Sequence, residues 1–312
     1  MTKRLQNTIA ESRWALPIVS IYSLAACLIT GMVTQTMGLQ LAMLTISAYM
    51  MVKLNNVNSL IRVYSRMISS SFLVMTVMSL FLFKSVTTGF VQLCAISSLV
   101  LLFRTYQEQN ATGRVFYAFF ALGAASVFFI QILFFVPIIW ILMAVNLMAF
   151  SPKTLAASLI GIVAPYWFIA AYYAYMDMLP QLGTHFLGLL QFAKPFCFDA
   201  LNYHHIVTLA FITLLALVGT VHFLMYSYQD RIKTRLFFEI FITLDICCFL
   251  FIVLQPQHFD YLLSLMIIFT APLIGHFITL THSRLSNLFF LLILFASLFI
   301  TAYNSWTSST IF

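Results

Sequence analysis

Two acidic residues lie within one long apolar stretch of this chain, RLFFEIFITLDICCFLFIVL, which runs from Arg235 to Leu254. The stretch can cross a bilayer as a helix, yet it contains Glu239 and Asp245. Because a charged side chain is costly inside a membrane, such acids commonly belong to a pathway for protons, ions or substrates. At roughly 100° per residue the two carboxyl groups point about 120° apart, so they do not form one pair. Asp245, near mid-membrane, is the stronger candidate for ion or substrate movement; a neutral, hydrogen-bonded structural acid is the alternative.

Two histidines in the neighbouring apolar runs are expected at the depth of Glu239. His222 and His276 fall in the inner third of runs that precede and follow the acidic stretch. A carboxylate and two imidazoles at one level could form a proton relay or a cation site, because histidine titrates near neutral pH. The alternative is that each side chain bonds to an adjacent helix or extends to the membrane interface.

A second group of chemically capable residues falls in two polar loops and the adjoining helix ends, which are predicted to face outward. Its members are Asp177, His185, Asp199, His204, His205, His258 and Asp260. Histidine and aspartate are common metal ligands and acid or base groups, but this spacing matches no metal motif. No metal and no cofactor is therefore expected, and solvated loop residues are the alternative to an outer site. The adjacent His204 and His205 are expected to point in different directions from a helix.

The composition assigns the whole chain to the membrane class. Of 312 residues, 62% are apolar and 7% are charged, against roughly a quarter charged in a soluble domain. The formal charge of +7 would suit nucleic acid, but the Lys and Arg residues stand at the ends of apolar runs, where they orient helices in a bilayer. No nucleic-acid partner is expected. The five cysteines have no metal or disulfide spacing and are expected to be small buried hydrophobes.

The apolar runs predict an all-α bundle of eleven transmembrane helices in one integral membrane domain, residues 1–312. The expected spans are 15–33, 37–54, 67–83, 86–103, 115–130, 132–150, 155–176, 205–228, 235–254, 261–280 and 287–303. The run 115–150 is divided near Gln131, because one helix of that length would extend about 54 Å across a hydrocarbon core of about 30 Å. Residues 177–204 are expected to form an outer loop with a short interfacial helix. The first run continues past Cys27, so an uncleaved first span is expected rather than a signal peptide.

The basic residues predict the orientation of the bundle. With the amino terminus in the cytoplasm and the carboxyl terminus outside, only Lys84 and Lys194 of the fifteen Lys and Arg residues fall outside. The others fall inside, as the positive-inside rule requires: Lys3, Arg4, Arg13, Lys53, Arg62, Arg66, Arg104, Arg114, Lys153, Arg231, Lys233, Arg235 and Arg284.

Two segments resemble a group of uncharacterised bacterial inner-membrane proteins. These are LNNVNSLIRVYSRM, Leu54 to Met67, and LFRTYQ, Leu102 to Gln107. The resemblance extends over most of the chain, but its motifs are non-catalytic and the group has no established activity. It implies a multi-pass protein of the bacterial cytoplasmic membrane.

Three functions remain open at this stage. The first is a transporter or permease for a small solute or lipid, in which Asp245 serves as the intramembrane acid. The second is an enzyme that assembles lipid-linked glycans at the outer face; against it, the first outer loop near Thr34 to Thr36 contains no acid and no arginine is expected outside. The third is a non-catalytic subunit with a membrane-protein partner.

Overall fold

The structure is a computed structural model that describes residues 4–29, 37–192, 195–196, 198 and 201–309. Within those ranges it contains thirteen α-helices, some 3-10 turns and no β-strand. The helices are α1 (Leu5–Glu11), α2 (Ala15–Ile29), α3 (Met37–Asn58), α4 (Met67–Met78), α5 (Val86–Leu102), α6 (Thr112–Ser126), α7 (Phe135–Val145), α8 (Pro152–Tyr175), α9 (Leu179–Leu187), α10 (Tyr203–Tyr226), α11 (Ile232–Leu254), α12 (Phe259–Leu280) and α13 (Arg284–Ser309).

Six helical segments of the described chain are long and apolar enough to cross a membrane. They are Val86–Thr105, Pro152–Tyr175, Tyr203–Gln229, Ile232–Leu254, Pro256–Leu280 and Arg284–Thr307. Three shorter helical segments, Ala15–Leu28, Met67–Met78 and Ile130–Val145, are also apolar. The predicted all-α class is thus confirmed, and the apolar helices are consistent with an integral membrane protein.

The long apolar run 115–150 is divided into two helices, as its length requires. Helix α6 ends at Ser126, a 3-10 turn follows over Ile130–Phe134, and α7 begins at Phe135. Pro137 is the third residue of α7, in the first turn, where a missing backbone N–H removes no intrahelical hydrogen bond. It therefore marks the beginning of the helix rather than a kink.

Several helix boundaries differ from the predicted ones; α3, for example, continues to Asn58, and α4 ends at Met78. Residues Leu5–Glu11, which precede the first predicted span, form α1. Helix α8 begins at Pro152 instead of at residue 155, because Ser151 and Thr154 form a capping box and proline is favoured at the first helical position. Helix α13 begins at Arg284 and continues to Ser309, beyond both ends of the predicted span 287–303.

Helix α12 lies at the centre of the bundle. Every residue from Leu262 to Thr279 is buried, and the helix packs against α4, α5, α10 and α11, with α1 near its carboxyl end. Two glycines permit this packing. A Cβ atom on Gly219 would lie 2.7 Å from the carbonyl carbon of Leu273, and one on Gly275 would lie 3.0 Å from Ile68. Small residues at such crossings let helix backbones approach closely.

Helix α8 lies at the periphery and packs mainly on α6. A Cβ atom on either Gly123 or Gly161 would come within 2.6 Å of a backbone carbonyl oxygen of the other helix. The opposite side of α8 exposes large apolar side chains, including Trp167 at 75% and Phe168 at 70%. Such a surface is typical of a helix that faces lipid.

Candidate functional site

The candidate site is a polar chamber at the end of the bundle where α10 ends, α11 begins and α12 ends. It consists of two open cavities, of about 260 Å³ and about 530 Å³, which share Arg62, Gln229 and Asp230 in their walls. The smaller cavity is also lined by His222, Tyr226, His276, Leu280, Thr281, His282 and Ser283. The larger one extends toward the segment between α3 and α4 and toward Arg231. We call the two cavities together the Asp230 chamber.

A buried acid–imidazole pair forms the chamber's inner wall. Asp230 Oδ2 lies 2.9 Å from His276 Nε2, and the two side chains are only 4% and 1% exposed. Asp230 is held in the short segment between α10 and α11, whereas His276 lies one turn before the end of α12. Because a carboxylate oxygen accepts, Nε2 of His276 is the donor. A buried acid that bonds to a ring nitrogen can pass or hold a proton.

The second imidazole of the chamber lies beside the first. The ring centroids of His222 and His276 are 5.4 Å apart, and Phe223 and Phe238 pack against the His276 ring. His222 is 8% exposed. The Nδ1 atoms of both histidines are buried without a hydrogen-bond partner. A buried polar atom without a partner is costly, so these two nitrogens are unsatisfied groups of residues that line the smaller cavity.

The charges around the chamber favour an anion. Arg62 and Arg231 line it and are exposed, and Arg62 donates to the side-chain oxygen of Gln229 over 2.9 Å. Asp230 is the acidic residue among the lining side chains of both cavities, and its carboxylate is already occupied by His276. Arginine binds phosphate and carboxylate groups through charge-assisted hydrogen bonds. The chamber can therefore hold an anionic group near Arg62.

Glu239 faces a different part of the bundle from the two histidines. Its Oε2 accepts a hydrogen bond of 2.8 Å from Asn146 Nδ2, and Asn146 also donates to the backbone oxygen of Leu236. The residue as a whole is exposed. Asn146 thus connects the end of α7 to α11, as expected of a polar residue that joins helices. The structure brings His222 and His276 together and pairs Glu239 elsewhere.

Asp245 is buried in the middle of α11, at 5% exposure. Its Oδ1 accepts a hydrogen bond of 2.9 Å from Thr270 Oγ1 of the central helix α12. This contact fits the structural alternative, in which a polar side chain joins two helices. Neither of the cavities that form the Asp230 chamber is lined by Asp245.

The described residues of the outer group make contacts in different parts of the fold. His185 Nε2 donates to the backbone oxygen of Ser126 over 3.1 Å, so it satisfies a carbonyl at the end of α6. The rings of His204 and His205 lie 4.2 Å apart between centroids, tilted by 52°, and both contact Phe81. The two side chains thus lie together, although they were expected to point in different directions. Asp177 is exposed at the end of α8, with a φ of 55°.

Asp199 of the same group lies outside the described residues. Within the described part of the chain, no three His, Cys, Asp or Glu side chains are arranged to hold a metal ion.

Asp230 and Arg62 are the site residues that sequence reasoning did not select. Arg62 was counted only among the basic residues that orient the helices, and Asp230 was not singled out. Asp230 is an acid within a predominantly basic connection, DRIKTR, where pairing with solvent or with the neighbouring basic side chains is the ordinary expectation. The pairing of Asp230 with His276, 46 positions away, cannot be predicted from the spacing of the two residues in the sequence.

No protein-family model, curated protein or solved structure matches this chain.

Proposed function

We propose that this protein is a membrane transporter that binds a small anionic solute or lipid in the Asp230 chamber. The observation that carries the proposal is the chamber itself. It is an open polar cavity at the end of an apolar bundle, with exposed arginine on its rim and a buried Asp230–His276 pair in its wall. Polar groups inside membrane proteins commonly line substrate or proton pathways.

We further propose that the chain crosses a bacterial cytoplasmic membrane eleven times, with the Asp230 chamber on the cytoplasmic side. Helices α2, α3, α4, α6 and α7 complete the number of passes, since each overlaps one of the predicted spans. The excess of Lys and Arg at that end supports the orientation. The resemblance to bacterial inner-membrane proteins supports the location.

In this proposal Asp245 remains the acid expected within the membrane, and the Asp230–His276 pair is the acid and base at the chamber. Asp245 and the Asp230–His276 pair would act in the same transport cycle if a solute or a proton passed from one to the other. Their separate substitution decides whether Asp245 takes part.

The test is mass spectrometry of small molecules and lipids from a deletion strain of the source organism. The strain is complemented with the wild-type chain, with Asp230→Asn, with Asp245→Asn or with Asp177→Asn. Asp177→Asn is the matched control, because the residue is exposed at another site and asparagine tolerates its positive φ. We expect a misplaced anionic metabolite or lipid that wild type and Asp177→Asn restore and Asp230→Asn does not.

Each other result has a defined meaning. Full rescue by Asp230→Asn, at an equal protein level in the membrane, would remove the basis of the proposal. Rescue by Asp245→Asn would assign that residue a structural role. Accumulation of a lipid-linked saccharide would favour the alternative of an enzyme in glycan assembly.

A further inference from the structure

An apolar groove lies next to the Asp230 chamber. It measures about 260 Å³ and runs between helices α1, α2, α4, α10, α12 and α13. Its walls are almost wholly apolar, with small residues such as Ala15, Ser71 and Ser297 leaving the space open. An apolar space far larger than one water, which needs about 10–15 Å³, is not expected to hold ordered water. Its natural occupant is apolar.

The groove opens to the surface of the bundle. Ile18 lines it and is 62% exposed, and Val74 on the opposite wall is partly exposed. Both residues lie on apolar helices that are consistent with a membrane setting. A groove of this kind is accessible from the lipid phase, and a lipid chain is the occupant that its chemistry fits.

One face of α10 lines both the groove and the chamber. Phe211 and Leu215 line the groove, and His222 and Tyr226 line the smaller cavity of the chamber. Their spacings of four, seven and four residues place all four on one side of a helix. The apolar and the polar lining residues of α10 therefore lie on one side of the helix, before and after the close contact of Gly219 with Leu273.

Helix α1 lies where the two spaces meet. The side-chain amide of Gln6 donates to the backbone oxygen of Ile278 and to the hydroxyl of Thr281, each over 2.7 Å. Ile278 lines the groove and Thr281 lines the chamber. One amide group thus contacts a residue of each space, so the two spaces adjoin within about one helical turn of α12.

We propose that the groove and the chamber together bind one amphiphile, a lipid whose anionic head group lies near Arg62 and whose chain lies in the groove. This inference rests on the proposed function and specifies its substrate class. The head is anionic because Arg62 and Arg231 line the chamber while its acid, Asp230, is held by His276. The apolar groove accounts for the acyl chain of the lipid. A soluble anion has no such chain.

Photo-crosslinking of the full chain in phosphatidylcholine vesicles tests the proposal. The probe is phosphatidic acid with a diazirine in its acyl chain, and the labelled peptides are mapped by mass spectrometry. We expect labels on residues of α4, α10 or α13 that line the groove. An identical diazirine on phosphatidylcholine should label these residues about tenfold less, because it lacks the net negative head group.

Three variants separate the two parts of the site. Val74→Trp fills the groove and Arg62→Gln removes the cation; each should lower labelling by phosphatidic acid about tenfold. Val221→Trp is the matched control, since Val221 is 54% exposed on α10, and it should label like wild type. Ser297→Leu fills the groove from α13 and replaces Val74→Trp should that variant fail to fold.

The outcomes that would overturn the proposal differ from those that overturn the transport function. Labelling that neither groove variant lowers, or equal labelling by the two lipids, would refute the amphiphile. Thermal stabilisation by inorganic phosphate that depends on Arg62, without specific lipid labelling, would also refute it but would leave a soluble anion as the transported substrate. An absence of binding by phosphatidic acid and by inorganic phosphate would count against both.

Discussion

Asp245 and Asp230 are both acids with buried side chains, but they lie in different surroundings. Asp245 occupies the middle of α11 and bonds to one hydroxyl of the central helix. Asp230 lies between two helices, bonds to an imidazole and borders two open cavities. Burial alone therefore does not identify a functional acid in this protein. An open path to the side chain and a titratable partner distinguish Asp230, and substitutions at the two sites should differ accordingly.

The largest expected effect is that of Asp230→Ala. Removing one partner of a buried pair leaves the other in a low-dielectric site, at a cost of about 3–5 kcal/mol in the free energy of unfolding. The measurement is chemical denaturation of the purified chain in mixed micelles. Glu108→Ala is the control, because its pair with Arg114 is exposed and such a pair is worth about 0–1 kcal/mol. Equal losses in the two variants would show that the Asp230–His276 bond adds little stability.

A smaller loss is expected from Gly219→Ala, which tests how the chamber is held together. The added Cβ atom would lie 2.7 Å from a backbone atom of Leu273, so α10 must move away from α12 at an overpacking cost of about 1–3 kcal/mol. The same movement would separate His222 from His276 one turn further along. Gly113→Ala is the control, because nothing lies within 4 Å of its added Cβ atom. Denaturation should show a loss for Gly219→Ala and none for Gly113→Ala.

The smallest effect on stability is expected from Asp245→Asn. The side-chain oxygen of asparagine can still accept the hydrogen bond from Thr270, so the free energy of unfolding should change by less than about 1 kcal/mol. Thr270→Val removes the donor and should cost about 1–3 kcal/mol, because a buried acid loses its partner. A loss for Asp245→Asn as large as that for Asp230→Ala would overturn the distinction between the two acids.

The positions of the helices follow from local features of the sequence. The run 115–150 had to divide because of its length, and it does so between Ser126 and Phe135. The beginning of α8 at Pro152 was also predictable from the sequence, because serine followed by proline is a local helix-start signal. Helix α1 was not predictable in this way, because its seven residues, with buried Gln6 and Asn7, have no strong apolar pattern. Its stability comes from hydrogen bonds to Thr281 and Asn287.

The central helix was not identifiable in the same way. The two acidic residues made α11 the predicted centre of the chemistry, whereas α12 is buried over every residue from Leu262 to Thr279. Lipid and protein interior are similarly apolar, so an apolar side chain does not report which of the two it meets. His222 and His276 were expected at one depth in the membrane, and their ring centroids lie 5.4 Å apart.

The sequence by itself determined that this protein is helical, that its helices are apolar enough for a membrane, and approximately where each helix begins and ends. These properties depend on runs of neighbouring residues, because the hydrophobicity and the length of an apolar run determine whether it forms a helix that can span a membrane. The tertiary structure alone decided that Asp230 bonds to His276 across 46 positions, that Glu239 bonds to Asn146, and that Arg62 borders the same chamber. Such contacts depend on which helix faces pack together, and close approaches such as that of Gly219 to Leu273 determine those faces.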